Sequence, residues 1–65
     1  MRLAARAWTL REAARVALPG DPATALALAR AAYDLERTPR ARRLLALALV
    51  ARGDAVRARE LIAEG

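Results

Sequence analysis

Three pairs of residues, Asp21-Pro22, Thr38-Pro39 and Gly53-Asp54, cut this chain into four short pieces. Asp or Thr ahead of proline is a helix start: the side chain accepts from an early backbone amide, and proline takes the first helical position, where an amide would go unpaired. Pro19 disfavours helix at Leu18, and Gly20 and Gly53 suit the left-handed turn that follows a helix end. This punctuation predicts helices over about residues 2–17, 22–37, 39–52 and 54–64. The links between them span only a few residues, so successive helices must run antiparallel. A chain of 65 residues is one small domain at most. The expected fold is all-α, two consecutive helical hairpins in a superhelix fragment or a small bundle.

Within each piece the apolar residues follow helical spacing. Leu3, Ala7, Leu10, Ala14 and then Ala17 and Leu18 make one stripe on the first helix. Trp8 lies well away from it, near Ala5 and Glu12, at ~100° per residue. The second helix is apolar over about half its circumference, through Ala25, Leu26, Leu28, Ala29, Ala32, Tyr33 and Leu35. The third begins with Arg40, Arg42 and Arg43 and continues as Leu44–Ala51, apolar all round, which predicts a central helix buried on most sides. The fourth should bury Ala55, Ala58, Leu61 and Ile62.

Nineteen alanines supply most of the apolar content, against eleven leucines and no phenylalanine. Alanine favours helix but buries little surface, so the core should be thin and the helices closely spaced. Domains this small are marginal on their own, and there is no Cys or His to staple one. Association with copies of itself or with a larger partner is therefore expected.

The chain has no Cys, His, Ser, Lys, Asn or Gln. Thiol, lysine and serine nucleophiles, histidine bases and Cys/His metal sites are excluded within one copy. Its carboxylates sit at helix starts or beside arginines, as caps and solvated ion pairs. No catalytic residue, cofactor or metal is expected. The net charge of +5 comes from twelve arginines. It suits an anionic partner, although the codon bias of a GC-rich genome produces the same composition. No secretory or membrane-spanning segment is visible, which reads as a cytoplasmic protein.

Gly20-Asp21 and Gly53-Asp54 are 33 residues apart, each followed by a small residue, Ala25 and Ala58. With Ala32, and with Pro39 after the second helix, this pattern resembles the tetratricopeptide repeat. The period is one residue short, and the usual aromatic and Leu-Gly pair are replaced by Thr9, Glu12 and Ala13 in one unit and by Arg42, Leu45 and Ala46 in the other. The resemblance implies partner binding on a concave face lined by the first helix of each unit. It carries over Arg42 alone, by position.

Two features stand out as candidate partner-binding residues. Trp8, off its helix stripe, either forms a binding hot spot or closes over Leu26 or Tyr33. Arg37, Arg40, Arg42 and Arg43 crowd a helix N-terminus, where the dipole favours acids. They either hold an anion or form a solvated cluster balanced by Asp34 and Glu36. These residues define a small protein–protein interaction module, self-associating or part of a larger assembly, with arginine-mediated nucleic-acid binding as the alternative. That alternative lacks aromatic interleaving for base stacking.

Overall fold

The computed structural model describes residues 3–64, with side chains from residue 5 onward. Arg2, expected to open the first helix, and the side chain of Leu3 lie outside the described residues. The chain is all-α: α1 (Leu3–Ala17), α2 (Pro22–Leu35), α3 (Pro39–Ala51) and α4 (Ala55–Ala63), with no strand among the described residues.

The start signals act as the sequence predicts. The Asp21, Thr38 and Asp54 side chains accept from the backbone amides of Thr24, Ala41 and Arg57. Pro22 and Pro39 open α2 and α3. The expected end of α2 at Arg37 is corrected to Leu35. Thr38 must be extended (φ −105°, ψ 159°) because the Pro39 ring crowds the helical conformation before it. Glu36 has already turned extended, which leaves Arg37 outside the helix.

The two Gly-Asp turns differ. Gly53 has φ 84°; its amide donates to the Val50 carbonyl and the Asp54 amide to the Leu49 carbonyl, a Schellman closure. Gly20 does not have a positive φ, so its expected left-handed turn is corrected. There the Asp21 amide reaches back to the Ala17 carbonyl at 2.7 Å without one.

Each helix packs on the next, and α1 also touches α3; α1 and α4 do not meet. The described chain is a slab, 34 × 28 × 12 Å between Cα extremes. With α4 held by α3 alone, the helices leave Trp8, Val16, Leu47, Val50, Val56 and Ile62 at least half exposed. The seams of the slab are alanine: Ala7, Ala14, Ala25, Ala29, Ala32, Ala41 and Ala48 are almost wholly buried, whereas no large side chain among the described residues is fully enclosed. Tyr33, Leu45, Leu49 and Leu61 supply the bulk of the core.

The central place expected for α3 holds, since it touches all three other helices. Its expected burial on most sides is corrected, because Leu47 and Val50 are half exposed. So is the expected stripe of α4: Ala58 and Leu61 are buried, but Ala55 and Ile62 face out. In both cases the slab is too thin to cover the side chains on its broad faces.

Two consequences can be measured. A Cβ at either glycine meets nothing within 4 Å, so only backbone conformation separates them. Gly53→Ala should cost about 1 kcal/mol in urea denaturation. Gly20→Ala should be neutral or slightly stabilising, by restricting the unfolded chain. The Asp21 carboxylate is held below its ordinary value of 3.8, first by the Thr24 hydroxyl and then by the Thr24 amide. Its contribution to stability is therefore complete above about pH 4 and is lost as pH falls through the lower folded value. NMR titration should find Asp21 lowered, and Thr24→Ala should move it back up.

Candidate functional site

The arginines act on surfaces that the helix order creates. Since both α1 and α3 run antiparallel to α2, they lie parallel to each other, and between them runs a groove of about 280 Å³. Arg11, Glu12 and Arg15 line it from α1, and Arg40, Arg43, Leu44 and Leu47 from α3. Four arginines face one carboxylate. Arg15 bonds to Glu12 on its own helix, and Arg11 lies 3.4 Å from the Glu36 carboxylate. Arg40 and Arg43 have no carboxylate partner among the described residues. They sit in the first two turns of α3, where exposed amides already make the helix end positive.

Arg43 and Leu47 also border a second groove, between α3 and α4, of about 420 Å³. It is almost wholly apolar: Ala46, Leu47, Val50, Ala55, Ala58 and Ile62 line it, with Arg43 and Arg59 as its only charged residues. Because the two grooves share residues, they form one continuous surface. A third groove, over Leu45, Leu49 and Leu61, carries Glu60 and Glu64 as well as Arg30 and Arg57, so its charges are mixed.

The sequence-derived candidates are distributed unevenly over this geometry. Trp8 is exposed, 55%, and stays outside the core instead of closing over Leu26 and Tyr33. It lies one helical turn before Glu12 on the same side of α1, and it does not line the first groove. Arg40 and Arg43 line that groove. Arg42 does not: it is half-buried, its Nε has no hydrogen-bond partner, and its backbone amide donates to the Thr38 carbonyl. Arg37 sits apart from both grooves, its guanidinium 5.1 Å from the centre of the Tyr33 ring. That contact shields the edge of the core and is worth about 0.5–1 kcal/mol at an exposed position. The expected balancing of the cluster by Asp34 and Glu36 is also corrected. Glu36 serves Arg11, and Asp34 pairs with no described residue.

Arg11, Arg15, Leu47, Val50 and Arg59 were not singled out from the sequence. The four-residue spacing of Arg11 and Arg15 places them on one side of a helix. Nothing in the sequence says that α3 lies beside that side.

No described helix is long and apolar enough to cross a membrane. No family model, curated protein or solved structure matches this chain.

Exposed, unpaired and placed against the helix dipole, Arg40 and Arg43 add nothing to stability. The double variant Arg40→Gln/Arg43→Gln should unfold at the same or higher urea concentration, gaining up to about 1 kcal/mol. A clear loss would show that they hold the fold together.

Proposed function

We propose that this chain is a small protein–protein interaction module, a self-associating adaptor or an accessory subunit working in the cytoplasm, and that it binds without catalysing. The observation that carries this reading is the open apolar groove between α3 and α4, which has arginines on its rim and no carboxylate in its lining. Apolar surface of this kind, continuous with a cationic groove, is what partner association covers. Arg40 and Arg43 then orient the partner through charge-assisted hydrogen bonds. The order of contacts, with α1 touching α3 but not α4, is compatible with two tetratricopeptide-like hairpins and with a small helical bundle alike. Of the two grooves, the cationic one lies between the first helices, where that resemblance would put a binding surface, and the apolar one lies within the second hairpin.

Binding of nucleic acid through Arg11, Arg15, Arg40 and Arg43 is the second reading, favoured by the four-to-one charge of the first groove. It is the weaker one. Tyr33 is buried, which leaves Trp8 as the sole aromatic able to stack on a base.

A photo-crosslinking amino acid placed at Leu47 or Val50, in the cells that make the chain, should yield protein adducts. One at Ala27, exposed on α2 away from both grooves, should yield none. Adducts to nucleic acid instead, or no adducts at the groove positions, would overturn the proposal.

A further inference from the structure

We infer that the α3/α4 groove receives α1 of a second copy, so that the chain associates head to tail. The inference rests on the interaction-module reading and names its partner.

The first support is internal. Moving back 33 residues takes Leu47 and Ile62, on the walls of the open groove, to Ala14 and Ala29 in the first hairpin. Those two are at most 1% exposed and belong to the same buried cluster as Leu45, Ala48 and Leu49 of α3. The first hairpin's groove is therefore filled by the helix that follows it. The second hairpin presents the equivalent groove empty, with Leu47, Val50 and Ile62 each about half exposed.

The second support is the face that α1 offers. The same shift takes Ala41, Leu45 and Leu49 of α3, all buried, to Trp8, Glu12 and Val16 of α1. These three lie four residues apart, along the edge of α1 turned away from α2. Trp8 and Val16 are 55% and 79% exposed, and no described residue covers them. The face that seats α3 in the chain thus has a counterpart on α1 with no groove of its own to enter.

Charge decides the pairing. Two open grooves facing each other would set Arg43 and Arg59 against their own copies. Two α1 edges facing each other would oppose Glu12 to Glu12. Of these three arrangements, α1 in the groove alone brings a carboxylate, Glu12, between Arg43 and Arg59 while Trp8 and Val16 meet Leu47, Val50 and Ile62. Glu12 now bonds to exposed Arg15 on its own helix, an exchange that costs less than about 1 kcal/mol. Such a contact is heterologous: every assembly keeps a free α1 at one end and a free groove at the other unless it closes into a ring.

Sedimentation of the wild-type chain from micromolar to millimolar concentration should show species that grow with concentration. Trp8→Glu removes the α1 edge and Ile62→Glu the groove, and each variant alone should be monomeric. Mixed in equal amounts they should form a one-to-one dimer, because each supplies the half the other lacks. Both sites are exposed, so far-UV circular dichroism should be unchanged. If either variant fails to fold, Val16→Glu and Val50→Glu repeat the test. Arg59→Glu should weaken assembly, and Glu12→Arg on the same chain should restore it. A monomeric wild type, a mixture that stays monomeric, or a dimer formed by one variant alone would overturn head-to-tail docking. Adducts to other proteins at Leu47 with a monomeric wild type would overturn this inference and leave the interaction module standing. The absence of any groove adduct would remove both.

Discussion

Everything in this structure depends on alanine at the seams between helices. Ala14, Ala25, Ala29, Ala41 and Ala48 let neighbouring backbones approach closely, and their methyl groups disappear completely from solvent. A methyl group, however, buries little area, and area removed from water is what drives folding. The large residues that make up the difference, Tyr33, Leu45, Leu49 and Leu61, all belong to one cluster beneath α3. The slab holds together along its seams and has no thick centre. Leucine, valine and tryptophan on its broad faces consequently remain in water.

The short helices follow from the same economy of contact. α4 has nine residues, fewer than an isolated helix needs in water, and it packs on α3 alone. Its support is local: the Asp54 cap, the left-handed Gly53 turn, and Ala58 and Leu61 against α3. The free side of α4 and the half-exposed Ile62 follow from this single attachment. The groove between α3 and α4 presents an apolar face with arginines at its rim.

The charge distribution makes the same division between fold and function. Asp21 and Asp54 cap helices, Glu12 pairs with Arg15 within α1, and Glu36 pairs with Arg11. Among the arginines with no ion pair to a described residue, Arg40, Arg43 and Arg59 line the two connected grooves. A cationic start to α3 opposes the helix dipole, so packing gives no reason for it.

Local chemistry along the chain determined the four helices, their caps, their antiparallel order and the exclusion of Trp8 from the first apolar stripe. Those features depend on residues within a turn or two of each other. The end of α2 at Leu35 was also legible in principle, since Pro39 and the Thr38 cap dictate the extended residues before them. The different conformations of Gly20 and Gly53 were not, because the same Gly-Asp pair closes by two hydrogen-bond patterns. What only the tertiary structure decided is exposure. Leu44–Ala51 reads as a buried helix because hydrophobicity reports what a residue favours, whereas the thickness of the slab sets what it obtains. The meeting of Arg11 and Arg15 with Arg40 and Arg43, and the release of Arg37 and Arg42 from that group, likewise required α1 and α3 to lie side by side. Residues some 30 positions apart become neighbours only through the packing of α2 between them, and no local pattern encodes that.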